Sequence, residues 1–337
     1  MRRLLHILIP AVLVFLFTSC FKDDERVTPH VPGNYVTDTI ALTDNYKNQV
    51  YYSLFDSTAV ITNHKDSWDL GFESSPKGWR VILNSSCFMK STFISGQVFG
   101  FPVDTIGATW LYNPSNGSAD SVAIGQWFTL SGDDTLGNGR LVILDRGMDV
   151  LGNSRGFNQL VIDSLINGTY YFRLADYNGS NIESFAVDKQ GGVNHVLFSI
   201  FNPIAKIQEP ANTSWDLQFT QYTTLLYTDV GDPYPYLVTG VVLNPLIVEV
   251  AVDSITLFAD VDFEKAVAMT FTKQADRIGY DWKIYDFDAG TYTVDSDKIY
   301  IIRDTKGFLY KLRFIGFYKF NTNRLEKGYP SFEYQKL

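Results

Sequence analysis

Apolar and polar side chains alternate most clearly between residues 298 and 320. The run IYIIR at 299–303 is rich in β-branched residues, and a turn with Gly307 follows at 304–307. After this turn, one set of alternate positions is entirely apolar: Phe308, Tyr310, Leu312 and Phe314. The positions between them are mixed: Leu309, Lys311, Arg313 and Ile315. A β-rich run before a turn and a period of two residues after it predict a β-hairpin.

Similar short runs recur along the chain, bounded by Gly, Asn, Asp or Pro. They lie at 140–145, 169–176, 236–244 and 291–295. Short strands separated by regular turns are typical of antiparallel sheets packed into a sandwich, so we predict an all-β fold with little helix. The helix that we predict spans 262–271, with Asp262 as its N-cap.

A six-residue phrase occurs twice in this chain. It is SWDLGF at 67–72 and SWDLQF at 214–219. The residues that lead into each phrase are also similar, because YSLF at 52–55 corresponds to FSIF at 198–201. An extended unit that recurs, rather than an isolated hexapeptide, indicates an internal duplication.

The duplication also has a downstream part in our alignment. YYFRLADYNG at 170–179 aligns with YIIRDTKGF at 300–308. From these matches we predict a first half at 36–183 and a second half at 184–337. The sequence leaves open whether the halves are two domains or one.

The phrase itself has the pattern of a core strand. Trp68, Leu70 and Phe72 alternate with Asp69 and Gly71, and the second copy repeats the alternation. We therefore expect the three large apolar side chains to face the core, with Asp facing outward or bonding nearby backbone N–H groups. The alternative is a direct role for the Trp in ligand binding.

Residues 1–20 have the features of a secretory signal: two arginines, a short apolar stretch, and small residues before Cys20. The ending FTSC resembles a lipobox, so we predict that Cys20 is lipidated; a plain signal peptide or anchor is the alternative. Residues 21–35 contain Pro and Gly without periodicity and are predicted to be a flexible tether. Within it, FKDDE resembles a surface-export signal, and a solvated linker is the alternative.

Composition removes several functional classes. After cleavage only Cys87 remains, which excludes an intrachain disulfide and a zinc site of several cysteines. The chain is 15% aromatic and 19% charged with a net charge of −9, so it lacks the cationic surface that nucleic-acid binding needs. It has no H-E-x-x-H motif and no glycine-rich phosphate loop. We predict that it is not an enzyme.

Several stretches of the second half together resemble the HmuY family of Bacteroidota lipoproteins. They are SWDLQF and the segments 235–245, 277–283, 292–318 and 327–337. Members of that family are all-β and anchored at the cell surface, and the best-known ones capture haem for an outer-membrane transporter. The resemblance therefore implies a signal peptide, a lipid anchor on a surface-exposed face of the outer membrane, and non-enzymatic capture of haem or a similar ligand.

Haem capture requires axial ligands for the iron and an aromatic pocket for the ring. Our candidate ligands are His64, His195 and Met89. The alternatives for His64 and His195 are a solvated loop residue and a turn residue, and Met89 is expected where a loop could fold over a pocket. His64 and His195 both precede a Trp-Asp phrase, so a pseudo-symmetric pair is conceivable. Tyr234 and Tyr236 lie in a proline-stiffened loop and are predicted to lie near the ring.

A second class of function stays open. The chain is alternatively a surface adhesin, or a glycan- or protein-binding module, on the same fold without haem. An aromatic pocket with two facing His or Met side chains would favour haem capture. A solid core with exposed Tyr loops would favour the adhesin.

Overall fold

Every strand pair in the described part of the chain is antiparallel. The structure is a computed structural model that describes residues 31–131, 134–321 and 324–337. The strands are β1 (Tyr35–Thr39), β2 (Asn48–Ser53), β3 (Thr58–His64), β4 (Leu70–Glu73), β5 (Val81–Leu83), β6 (Lys90–Phe93), β7 (Phe128–Ser131), β8 (Asp134–Gly137), β9 (Val142–Asp145), β10 (Phe157–Ile166), β11 (Thr169–Asp176), β12 (Glu183–Asp188), β13 (His195–Phe198), β14 (Leu217–Tyr227), β15 (Pro233–Leu243), β16 (Glu249–Asp253), β17 (Lys283–Asp286), β18 (Thr291–Val294), β19 (Ile299–Arg303), β20 (Leu309–Asn321) and β21 (Arg324–Lys336). The predicted antiparallel all-β class is confirmed.

Helical structure is short within these ranges. Helix α1 (Phe263–Val267) begins where it was predicted, and Asp262 caps it by accepting a hydrogen bond from the backbone N of Lys265 at 2.9 Å. The helix ends earlier than the predicted residue 271. Three 3₁₀ turns span Ser85–Cys87, Ala119–Ser121 and Phe258–Asp260.

The predicted signal at 1–20, the lipidation site Cys20 and most of the tether at 21–35 lie outside the described residues. Residues Pro32–Leu337 form one compact unit, and all contacts given below lie within it. In the described ranges, no helix is both long enough and apolar enough to cross a membrane.

Four sheets form two sandwiches. Sheet I has the strand order β1-β21-β20-β19-β16, and sheet II has the order β15-β14-β2-β3. Sheet III has the order β13-β4-β5. Sheet IV begins β12-β11-β10 and then branches, because β10 pairs both with β9, which continues to β6, and with β8, which continues to β7. Strands β17 and β18 form a separate hairpin.

Each sandwich has its own apolar core. The core between sheets I and II includes Tyr52, Leu217, Phe219, Phe314 and Phe332. The core between sheets III and IV includes Leu70, Phe72, Leu160, Tyr170 and Phe172. Because burial of one large apolar side chain contributes roughly 1.5–3 kcal/mol, these two cores are the main source of stability.

Sheets I and IV contain the same order of corresponding strands. In sheet I, β1 pairs with β21, which continues to β20, β19 and β16. In sheet IV, β12 pairs with β11, which continues to β10, β9 and β6. The two related halves, 36–183 and 184–337, stay a prediction.

The strand order corrects one part of our alignment. Residues 170–179 fall in and after β11, whose counterpart in the repeated order is β21 and not β19. The segment that corresponds to 300–303 is 142–145, in β9. Both aligned segments are apolar strands that end in turns, and a weak sequence match cannot distinguish two such strands.

Each Trp-Asp phrase pairs with a strand of the other predicted half. The backbone N of Asp69 donates to Phe198 O, and the backbone N of Asp216 donates to Tyr52 O, both at 2.8 Å. Consequently β4 of the first half pairs with β13 of the second half, and β14 of the second half pairs with β2 of the first half. Sheets II and III are therefore each built from both halves.

Both carboxylates are buried and repeat the same backbone contact. Asp216 Oδ2 accepts from Leu54 N at 2.8 Å, and Asp69 Oδ2 accepts from Ile200 N at 2.7 Å. Asp216 Oδ1 also accepts from Thr305 N at 2.9 Å. The expectation that the Asp of the phrase bonds backbone N–H groups is met in both copies.

Asp69 alone has charged partners. The guanidinium groups of Arg146 and Arg155 approach it at 3.0 and 2.9 Å, and both arginines are nearly buried. Removing the charge of Asp69 therefore leaves two buried cations without a counter-charge.

We expect Asp69→Asn to lower the free energy of unfolding by about 3–5 kcal/mol, as for a broken buried ion pair. Asp216→Asn should cost about 1–3 kcal/mol, because its amide keeps one acceptor but presents an NH₂ group to a backbone N–H. Urea unfolding of the two variants and the parent measures both losses. Equal losses would contradict this assignment.

One lysine is buried among aromatic rings. Lys283 is 7% exposed; its Nζ lies 4.4 Å from the ring centre of Trp282 and 5.0 Å from that of Phe317, and it donates to Thr239 O. Burial lowers the pKa of Lys283 to about 7, and the nearby carboxylate of Asp281 offsets this only in part. The folded protein therefore releases this proton at a lower pH than the unfolded chain does.

Above pH ~7, the unfolded chain keeps the proton that folded Lys283 has lost, so this residue makes stability rise with pH by up to about 1.4 kcal/mol per unit. The contribution is lost as pH falls through this value. Urea unfolding from pH ~7 to pH ~9 should show a smaller rise for Lys283→Met than for the parent. Exposed Lys206→Met is the control, and parallel profiles for Lys283→Met and the parent would contradict the shift.

Candidate functional site

A cavity of about 420 Å³ lies between sheets II and III. It is on the opposite side of each sheet from the apolar cores, because successive side chains of a strand point to opposite faces. In β14, Leu217 and Phe219 enter the core, whereas Gln218 and Thr220 line the cavity. Its volume lies within the range typical of small-molecule sites.

Both sandwiches contribute to the cavity wall. Sheet II supplies Gln49, Tyr51, Gln218, Thr220, Tyr222 and Val242. Sheet III supplies Glu73, Ile82, Leu83, His195 and Leu197. Residues of the 113–122 loop also line it.

Trp68 and Trp215 line this cavity and are not members of the apolar cores. This corrects the expectation that Trp, Leu and Phe of each phrase share one face. The chain bends at Asp69 and at Asp216, just before β4 and β14 begin. The bend breaks the alternation, so each Trp faces the cavity while the following Leu and Phe face the core.

Aromatic rings and a buried acid define one end of the cavity. The rings of Tyr51 and Trp215 meet edge to face, with centroids 4.9 Å apart. Burial, reinforced by the charge of Glu209, raises the pKa of Tyr51 well above its usual value. The Tyr51 phenol therefore stays uncharged at physiological pH.

The side chains of His195 and Glu209 are in contact at this end of the cavity. The Nδ1 atom of His195 lies 3.4 Å from Oε2 of Glu209, whose side chain is only 4% exposed. The same carboxylate accepts a hydrogen bond from the backbone N of His195 at 2.8 Å. A carboxylate behind a histidine fixes the orientation of the ring and increases the basicity of its other nitrogen.

Arg80 and Glu73 form an ion pair at the cavity wall. Arg80 NH1 is 3.3 Å from Glu73 Oε2. Burial alone would raise the pKa of Glu73, but hydrogen bonds from Ser75 and Arg80 hold it below its usual value. Glu73 is therefore ionised and its charge is matched by Arg80.

The structure separates the predicted haem ligands. Of the three, His195 alone lines the cavity. The side chain of His64 is 45% exposed, and its Nδ1 contacts Asp66. Met89 is buried in the core between sheets III and IV. Gln49 of β2 corresponds to His195 of β13. Gln49 lies three residues before Tyr52, whose carbonyl accepts from Asp216 N, and His195 lies three residues before Phe198, whose carbonyl accepts from Asp69 N.

Tyr234 and Tyr236 lie on β15 and are 39% and 53% exposed. Their rings meet edge to face, 6.3 Å apart, and neither lines the cavity. In the described residues, no cluster of three or more His, Cys, Asp or Glu could hold a metal ion.

Sequence reasoning missed the two asparagines that follow the phrases. Asn84 Nδ2 donates to Trp68 O at 2.8 Å, and Asn244 Nδ2 donates to Trp215 O at 3.1 Å. A signal for them exists, because VILN at 81–84 repeats as VVLN at 241–244. Glu209 has no comparable signal, since nothing local relates it to His195.

The sequence model of the HmuY protein family matches residues 167–334 of this chain. The comparison with curated proteins gives no match.

Among solved structures, apo PinO from Porphyromonas gingivitis is similar at 9% identity and a TM-score of 0.29, over 90% of this chain and 97% of that one. A candidate HmuY-like haem-binding protein from Bacteroides vulgatus is similar at 15% identity and a TM-score of 0.18, over 49% of this chain and 89% of that one. A candidate lipoprotein from Bacteroides fragilis is similar at 16% identity and a TM-score of 0.18, over 50% of this chain and 89% of that one.

Proposed function

Because residues 167–334 belong to the HmuY family, we propose that this chain captures a small ligand, without catalysis, in the cavity between sheets II and III. Haem is the ligand to test first. The observation that carries the proposal is the imidazole of His195, which lines an aromatic cavity and has the Glu209 carboxylate behind it.

The chemistry of this end suits a haem iron. With Nδ1 directed to Glu209, the Nε2 atom of His195 is the nitrogen available for iron, and the carboxylate increases its donor strength. Trp215 and Tyr51 supply the aromatic wall. The carboxylates of haem must reach solvent, because the Glu209 carboxylate would repel them inside the cavity.

We expect the mature domain to give a saturable Soret shift with haemin, and His195→Ala to weaken binding at least about tenfold, because the iron loses its protein ligand. His64→Ala is the matched control and should bind like the parent. Met89→Leu, which keeps the core filled, should also bind normally.

The same titration separates the alternatives. No saturable shift in the parent ends the haem proposal, and an unchanged shift in His195→Ala keeps haem but discards this ligand. Loss of binding in His64→Ala or Met89→Leu would restore that residue as a ligand.

The second candidate function is a surface adhesin or a glycan- or protein-binding module. The observation that favours it is the exposure of Tyr227, Tyr234 and Tyr236 at the ends of β14 and β15 that lie next to their connecting turn. Tyrosine is effective at such surfaces because it combines flat apolar area with a polar tip. A negative haemin titration would promote this function.

We further propose that Cys20 anchors the chain by lipid to the outer membrane, with the folded part facing outward and delivering its ligand to a membrane transporter. The lipobox-like FTSC at 17–20 supports this. Cys20→Ser should move the protein from the membrane fraction to the soluble fraction, because the acyl chains that bind the bilayer are lost. Protease treatment of intact cells should digest the parent; a protected parent would contradict surface exposure.

A further inference from the structure

The indole N–H groups of the two phrases differ in hydrogen bonding. Trp68 Nε1 donates to Gln49 Oε1 at 2.8 Å. Trp215 Nε1 is buried and has no hydrogen-bond partner among the described residues. Trp215 is 3% exposed and lines the cavity. An unpaired buried donor is rare in native proteins and calls for an explanation.

Trp68 and Trp215 differ because the residues at corresponding positions beside them differ. Gln49 and His195 occupy corresponding positions in β2 and β13. Gln49 accepts from the Trp of its own half, whereas the imidazole of His195 turns to Glu209. The second half therefore has a histidine where the first half has an amide acceptor, and Trp215 keeps a free donor at the cavity.

A free acceptor accompanies this donor. Asn244 Nδ2 donates to Asn212 O and Trp215 O, so its Oδ1 must act as the acceptor. Asn194 Nδ2 donates to that oxygen at 3.2 Å. This fixes the amide of Asn194 and leaves its Oδ1 buried and unpaired. Asn194 is 3% exposed and lines the same cavity.

The charges around the cavity disfavour an anion at this end. Its ionisable lining side chains, apart from tyrosines, are Glu73, Arg80, His195 and Glu209. Arg80 is paired with Glu73, whereas Glu209 has no Lys or Arg beside it in the lining and contacts only the imidazole of His195. An anionic group would meet this buried carboxylate.

We propose that the cavity recognises an uncharged apolar molecule through a hydroxyl group, which accepts from Trp215 Nε1 and donates to Asn194 Oδ1. Both atoms are buried in the cavity wall, so the two side chains turn slightly toward the ligand when it binds. A hydroxyl is the smallest neutral group that satisfies both. The apolar body lies against Leu197 and Val242. This inference rests on the proposed function for the location of the ligand, and not on haem.

The probe is 2-naphthol, a planar apolar molecule with one hydroxyl group, titrated calorimetrically into the mature domain. Two analogues isolate the polar contacts: 2-methoxynaphthalene accepts but cannot donate, and 2-naphthoate is charged. Because one net hydrogen bond is worth up to about a tenfold change in affinity, 2-naphthol should bind about tenfold more tightly than 2-methoxynaphthalene. The naphthoate should bind more weakly than the naphthol.

Variants assign the contacts. Trp215→Phe should lower 2-naphthol affinity about tenfold, and Asn194→Ala should abolish the preference over 2-methoxynaphthalene. Trp110→Phe, away from the cavity, is the control and should bind normally. Without ligand, Trp68→Phe should destabilise the protein more than Trp215→Phe does, because it leaves Gln49 Oε1 unpaired, whereas Trp215→Phe removes a donor that has no partner.

Several results would overturn the inference. They are equal affinities for 2-naphthol and 2-methoxynaphthalene, unchanged naphthol binding in Trp215→Phe, or equal destabilisation by the two Trp variants. Haemin binding without naphthol binding refutes this inference and leaves the proposed haem capture in place. Naphthol binding without haemin binding refutes haem and supports the hydroxyl site.

Discussion

The buried carboxylates of Asp69 and Asp216 organise this structure. Each accepts the backbone N–H of a residue that follows a strand of the other predicted half: Ile200 after β13 for Asp69, and Leu54 after β2 for Asp216. The N–H of each Asp donates to the last or next-to-last residue of that strand. These contacts start the pairing of β4 with β13 and of β14 with β2. Sheets II and III, and hence the cavity between them, depend on two side chains that are almost completely removed from water.

The bend at each of these Asp residues also sets which face of the sheet the preceding tryptophan lies on. A strand that alternated strictly would place Trp with Leu and Phe in the core. The bend that lets the carboxylate reach the neighbouring backbone also turns the indole to the opposite face. The repeated phrase is therefore scaffold through its Asp, Leu and Phe, and cavity wall through its Trp.

Much of the fold follows from local pattern. The alternating stretch 308–315 and the N-cap at Asp262 were predictable because they depend on neighbouring residues. The side of the sheet that Trp215 faces was not predictable, since it depends on a bend at one residue. The contact of His195 with Glu209 was equally out of reach, because two segments without a common pattern meet only in the folded chain.

The cavity illustrates the same limit. Sequence reasoning selected His195, which lines the cavity, but it also selected His64 and Met89, which lie elsewhere. Only the facing of two sheets, each drawn from both halves, separates these three residues. A stronger signal was present in VILN and VVLN, whose asparagines bind the Trp carbonyls.

The exchanged strands also have a consequence for synthesis of the protein. The contacts of Asp69 and Asp216 join residues 131 and 162 positions apart. At ribosomal speeds of ~5–20 residues per second, β2 and β4 wait on the order of ten seconds for their partners. During that interval the first half carries unpaired strand edges, which attract other chains. Sheets II and III of a newly made chain therefore complete their pairing only after strands β13 to β15 have been synthesised.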